Sequence, residues 1–374
     1  MMKEQNIEAS EPQKVMRDSN MELLRLISIF LVVLMHVHNT IFNKTNAIID
    51  ISYLSCVNSF ANVGVTIFML ISGFYGIKTK GSKIWRLWSE VFFWGLIGLA
   101  FSFCASGSVS PQQCLSALLP ISSGTMWFAT GYMIIALFAC YINALVEILG
   151  KERMRDCLVL MFVLFCFLPS FVGLHISGAH HGRTVANLFF AYMVGRYIRL
   201  HVNTVFPTCK ILVCFGVCVL CVGISNLVLS VLPMLFPSFT MLKNGIGLVM
   251  PFARNCSVFI FVEAVCLFLL FRKIRFSSRF VNALSPYVFA VYLLDPVIRP
   301  HVCCYFDSVT EEWGILRYMV PLGMAIVISC VGLAAGFFRR ILFGRLDDFI
   351  GGYVVALFNR VLEVLSHLLK KSGL

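Results

Sequence analysis

The chain has 374 residues, 59% of them apolar and 13% charged, with a mean hydropathy of +0.87 and a formal net charge of +12. Soluble domains hold about 45–50% apolar and about 25% charged residues, and a globule with this surplus would expose apolar patches beyond what solubility tolerates. A soluble enzyme is therefore excluded; at about 20 residues per spanning helix there is room for about ten or eleven crossings and no sizeable extramembrane domain.

The basic balance does not point to nucleic acid. Lys and Arg gather in short clusters between apolar runs, the pattern the positive-inside rule leaves at a cytoplasmic membrane face. The 15 cysteines lie mainly inside apolar runs, where a free thiol packs as a small hydrophobe. Cys214, Cys218 and Cys221 share a helix face and read as packing.

Residues 1–18 are polar, with Pro12 and mixed charges, and read as a flexible cytoplasmic leader. The apolar run that follows is too long for a signal-peptide core and ends in no small-residue cleavage site. Apolar stretches recur at 21–42, 56–77, 85–106, 125–149, 157–174, 184–200, 211–232, 245–271, 283–303 and 314–338. The expectation is an all-α integral membrane protein in which residues 19–340 form about ten transmembrane helices. With the leader inside and the face alternating at each span, 23 of the 30 Lys and Arg residues fall on the leader's side and five on the other. Both termini are therefore expected in the cytoplasm. In the tail, 341–374, Arg360, Glu363, His367 and Lys370 recur at three- and four-residue steps, which predicts an amphipathic helix on the inner leaflet.

In so apolar a chain the informative residues are the ionisable ones at membrane depth, since a charge at a helix centre costs about 2.5–3.5 kcal/mol on insertion scales. They are Glu22, Arg25 and His36 in the first span, Glu90 in the third, Arg254 and Glu263 in the eighth and Asp295 in the ninth. Arg25 and His36 are eleven residues apart, three turns plus about 20°, so both project from one helix face about 16 Å apart. One long bound molecule would reach both; alternatively Arg25 snorkels to the interface and His36 bonds a neighbouring helix. Lys78, Lys80, Lys83 and Arg86 form a basic patch beside Trp85 and Trp88, which suits either a membrane anchor or a phosphate site. Asp295-Pro296 sets an acidic residue beside a helix breaker, the signature of a polar cavity. The loop with His175, His180, His181 and Arg183 lacks a carboxylate or thiol and reads as polar loop rather than metal site. Gly245-Ile246-Gly247 is too short a pattern for a nucleotide loop.

These residues resemble the integral-membrane acyltransferase family 3, which includes bacterial glycan O-acetyltransferases. Asn20-Met-Glu22-Leu-Leu-Arg25 followed by His36 is similar to the family's arginine–ten residues–histidine signature. The segment from Gly64 to Ser72-Gly73-Phe74 resembles its second helix, and Lys83-Ile-Trp-Arg86 its basic pair. Trp127-Phe128 opens the fourth helix as the family does, and the stretch from Asn282 through Ser285 to Tyr292 resembles its penultimate helix. Two departures stand out. Asp295 occupies a place where the family usually has histidine, and Lys83 one where it has arginine, keeping charge but losing the planar fork.

The resemblance implies transfer of an acyl group, most often acetyl from acetyl-CoA, to a sugar hydroxyl of an envelope glycan or its lipid-linked precursor, in a multi-pass protein of the inner (plasma) membrane. Arg25, Lys83 and Arg86 are then expected to hold the donor's phosphates and His36 to act as general base with Arg25 beside it. Glu22, Ser72, Trp127 and Asp295 are expected to support the site. Acetyl-CoA is a substrate here rather than a bound cofactor, and no metal is expected. A transporter or flippase for a lipid-linked sugar is the alternative, because it too needs a polar cavity, basic residues and broken helices.

Overall fold

The computed structural model describes residues 18–42, 47–78, 81–119, 121, 126–172, 182–236 and 251–371. Residues 1–17 of the expected leader, Lys80, the histidines at 175, 180 and 181 and the Gly245–Gly247 pattern lie outside these residues, as do the side chains of His367 and Lys370.

Among the described residues the fold is helical throughout, with no strand. This follows from the solvent: inside a bilayer every backbone amide must be satisfied within the chain, and a helix does so locally. In chain order the helices are α1 (Ser19–Phe42), α2 (Ile48–Ala61), α3 (Gly64–Tyr75), α4 (Gly81–Ser106), α5 (Pro111–Leu118), α6 (Trp127–Phe162), α7 (Val185–His201), α8 (Thr208–Leu235), α9 (Val258–Lys273), α10 (Arg279–Leu284), α11 (Val288–Cys303), α12 (Phe306–Thr310) and α13 (Val320–Lys371). A π-helical stretch, Val163–Val172, extends α6.

By length and composition, seven helical segments among the described residues can cross a membrane, against the ten runs expected. The difference has local causes. Runs 125–149 and 157–174 fall in one 46-residue segment, Trp127–Val172, which the non-helical Gly150 (φ 67°, ψ 176°) breaks in two and which is long enough for two crossings. Runs 184–200 and 245–271 correspond to α7 and, in the described part of the second run, to α9, helices of 17 and 16 residues. The chain is a multi-pass membrane protein. At its C-terminal end α13 runs for 52 residues without a break, so the expected boundary between 340 and 341 falls inside one continuous helix. Buried Arg339 and Asp347 on either side of that boundary pair at 3.0 Å, and Asp347 accepts a hydrogen bond from Ser89 of α4 at 2.9 Å.

The tightest crossing is between α3 and α7. A Cβ on Gly73 would lie 2.0 Å from the Tyr192 carbonyl oxygen, and one on Gly195 would lie 2.3 Å from that of Leu70. The two backbones touch, the use that membrane helices make of small residues. This crossing seats the fully buried Tyr192, whose hydroxyl accepts from the Ile77 N–H at 3.1 Å and donates to Asn143 at 2.8 Å. Ile77, just after α3, is thereby tied to α6 and α7. Gly73→Ala is expected to destabilise the fold by about 3 kcal/mol, because backbone carbonyls cannot step aside as a side chain can. Thermal unfolding in detergent would check this, with Gly216→Ala in α8, whose Cβ meets nothing within 4 Å, as the comparison.

Candidate active site

α1 supplies the spine of the site. Its Glu22, Arg25, Ile29, Val32 and His36 follow three- and four-residue steps and form one stripe facing a cavity of about 920 Å³. α3, α4, α6 and α11 close round it with Ser72, Lys83 and Arg86, Trp127, and Asp295 respectively. All eight residues expected to form the site therefore line a single space. Six of the seven ionisable residues at membrane depth also line it; the exception, Glu263, is fully buried in α9. The expectation that Arg254 and Glu263 project from opposite faces of one helix does not apply, since Arg254 lies in the turn before α9 begins.

At one end Arg25 donates from Nη1 to both carboxylate oxygens of buried Glu22, at 3.0 and 3.1 Å. The Ser285 hydroxyl donates to the same carboxylate at 2.5 Å, so Glu22 holds Arg25 in place while leaving the rest of its fork to the cavity. Arg86 pairs with Asp348 of α13, with 39% and 55% of the two side chains exposed. An exposed pair of this kind is worth at most about 1 kcal/mol, so it yields readily to a bound phosphate, whose charge-assisted hydrogen bonds are stronger. Lys83 is exposed at the same mouth. Ser72 lines the wall but donates its proton to the Phe68 carbonyl at 2.8 Å, so it gives a polar surface rather than a nucleophile. Trp127 stands at the first residue of α6, beside Phe128, whose ring meets that of Tyr292 at 5.6 Å.

At the other end His36 Nδ1 lies 2.7 Å from Oδ2 of Asp295, a carboxylate only 2% exposed. Arg299, one turn further along α11, pairs with the other Asp295 oxygen at 3.3 Å and donates to Thr40 at 2.7 Å. An ionised carboxylate only accepts, so the hydrogen of a neutral His36 ring sits on Nδ1 and the lone pair on Nε2. A histidine paired in this way can accept a proton at Nε2 while the carboxylate orients its ring. Neighbouring His38 is turned away, fully buried, with Nδ1 2.7 Å from the Leu34 carbonyl and Nε2 3.0 Å from the Tyr53 hydroxyl, and serves packing.

One continuous space thus joins a cationic mouth to a histidine–aspartate pair. Residues 18–338 match the family model described as an acyltransferase domain. The chain belongs to acyltransferase family 3. No curated protein and no solved structure gives a significant match. Within the acyltransferase domain, sequence reasoning missed the pairing of His36 with Asp295 and the tie from Arg299. It also missed the amides Asn39, Asn58 and Asn62, which line the cavity near His36. The four-residue step from Asp295 to Arg299 was the available signal for the second of these.

Proposed function

We propose that this acyltransferase moves an acetyl group from acetyl-CoA to a sugar hydroxyl of an envelope glycan or of its lipid-linked precursor, in the plasma membrane and with both chain termini in the cytoplasm. The observation that carries the reading is the His36–Asp295 pair at 2.7 Å, in the same cavity as Arg25, Lys83 and Arg86. The basic mouth holds the phosphates of the donor, and the narrow pantetheine arm extends along the α1 stripe toward His36, about 16 Å beyond Arg25 by helix rise. His36 Nε2 takes the proton of the acceptor hydroxyl as its oxygen attacks the thioester carbonyl carbon. The new C–O bond forms, the C–S bond breaks, and the leaving thiolate receives the proton back from the imidazolium. Asp295 steadies the ring and the positive charge it carries between these steps.

The test is to supply labelled acetyl-CoA to membranes from cells with and without this chain. Label entering the glycan fraction only when the chain is present supports the reading. Glycan that changes sides of the membrane without gaining label indicates a flippase and overturns it. Arg86→Gln is expected to raise the KM for acetyl-CoA about tenfold with little change in kcat, the pattern of a lost ground-state phosphate contact. Initial rates over a range of donor concentrations would show it.

A further inference from the structure

The face that α4 turns to the cavity is only partly used by the chemistry above. Lys83, Arg86, Leu87 and Glu90 follow three- and four-residue steps, and all four line the cavity. Lys83 and Arg86 form the cationic mouth, and Glu90 has no part in it. Glu90 is half-buried and lies four residues, about 6 Å of helix rise, beyond Arg86. Among the described residues no hydrogen bond or ion pair ties its carboxyl group down. Arg339, Arg340 and Arg86 act on it through space, but Arg86 pairs with Asp348 and Arg339 with Asp347. Ser89, its neighbour on α4, also donates to Asp347. The network between α4 and α13 is thus built on the two aspartates, and the Glu90 oxygens are left to the cavity. An ionisable group at membrane depth that faces a cavity marks a substrate path.

The order of groups along this face matches the donor. Inward from the mouth it presents a cation, an apolar side chain and a carboxyl group. A coenzyme A thioester runs inward from its pyrophosphate through a dimethyl-substituted carbon, a hydroxyl and an amide N–H, then a second amide and the thioester. The first amide nitrogen is five bonds from the pyrophosphate oxygen and the sulfur twelve, which at about 1.2 Å of extended chain per bond gives about 6 and about 14 Å. The first distance is the depth of Glu90 beyond Arg86, and the second approaches the roughly 16 Å of helix rise from Arg25 to His36.

We propose that Glu90 positions the donor: its carboxyl oxygen accepts the first amide N–H of the pantetheine arm and so selects thioesters built on that arm. The inference rests on the acetyl-CoA reading above and deepens it. An amide N–H that leaves water for a closed cavity needs an acceptor, because leaving it unmet costs its full desolvation. Held part-way along, the arm presents the thioester carbon at the depth of His36 instead of ranging over the cavity.

The experiment measures binding of labelled acetyl-CoA to the full chain in lipid nanodiscs, and its displacement by adenosine 3′-phosphate 5′-diphosphate, the donor's nucleotide half without the arm. Glu90→Met removes both acceptor oxygens at similar length. It is expected to weaken acetyl-CoA about tenfold while the nucleotide half binds within about twofold of its affinity for the unsubstituted chain. Glu90→Gln keeps one carbonyl oxygen and is expected to bind acetyl-CoA within about threefold of the unsubstituted chain. If the carboxylate served only to balance Arg339 and Arg340, Glu90→Gln and Glu90→Met would behave alike. Arg86→Gln is expected to weaken both ligands equally, since it acts on the half they share. Retained nucleotide binding shows that the cavity is folded, and Glu90→Ala takes the place of Glu90→Met where that variant does not fold. Unchanged acetyl-CoA binding in Glu90→Met, equal weakening of both ligands in it, or a loss in Glu90→Gln as large as in Glu90→Met would each overturn the inference alone. No saturable acetyl-CoA binding by the unsubstituted chain would overturn the donor reading and this inference with it, so the two failures are distinct.

Discussion

Replacing His36 by glutamine is expected to slow transfer of labelled acetyl from acetyl-CoA to membrane glycan by about 10²- to 10⁴-fold, the range over which a positioned general base contributes. Glutamine keeps a hydrogen-bonding amide of similar reach for Asp295, so the cavity wall is preserved while the basic nitrogen is lost. The mouth at Lys83 and Arg86 is untouched, because it lies at the far end of the α1 stripe. Acetyl-CoA should therefore bind the variant with near-normal affinity, and the loss should appear in kcat. If His36 served only to bond a neighbouring helix, the substitution would change stability and leave the turnover of folded protein alone.

Asp295→Asn is the second large effect, expected between about 10²- and 10⁴-fold in kcat. The carboxylate accepts the Nδ1 hydrogen of His36 through Oδ2 and pairs with Arg299 through Oδ1. An asparagine can turn its amide NH₂ toward His36, which then accepts at Nδ1 and moves its hydrogen to Nε2, the nitrogen that should receive the acceptor proton. The charge that steadies the imidazolium is lost as well. Asp295→Glu keeps the charge and is expected to recover part of the rate, which a purely volumetric role for Asp295 would not predict. Single-turnover rates with saturating acetyl-CoA would separate this from weakened donor binding.

Much of the site was legible because a membrane makes polarity expensive. Glu22, Arg25 and His36 stand out in an apolar run, and helical periodicity alone aligns them. Asp295 was legible for the same reason, together with Pro296, although as a departure from the family pattern rather than as the partner of His36. The pairing was not legible, since the two residues lie 259 positions apart in sequence and meet only through the packing of α1 against α11. Asn39, Asn58 and Asn62 were passed over because an uncharged amide costs far less to insert than a charge and does not stand out in a hydropathy reading. The helical class followed from composition. The breaks between helices were legible in part: the backbone leaves the helix at Gly150, between the runs 125–149 and 157–174, whereas α13 continues unbroken through Arg339 and Arg340, past the end of the run 314–338.

The charge balance also gains a division of labour. Most of the cations lie between spans, where they are expected to orient the chain, while a few line the cavity. Of those few, Arg25 and Arg299 are positioned by Glu22 and Asp295, so carboxylates on the wall set the geometry of the cations beside them.

The most direct measurement of the central claim is a mass spectrum of the surface glycans from cells that lack this gene and are complemented with the unsubstituted chain or with His36→Gln expressed to the same level. The account predicts glycans heavier by one acetyl unit with the unsubstituted chain and unmodified glycans with His36→Gln. Acetylated glycan in equal amount from both would contradict it.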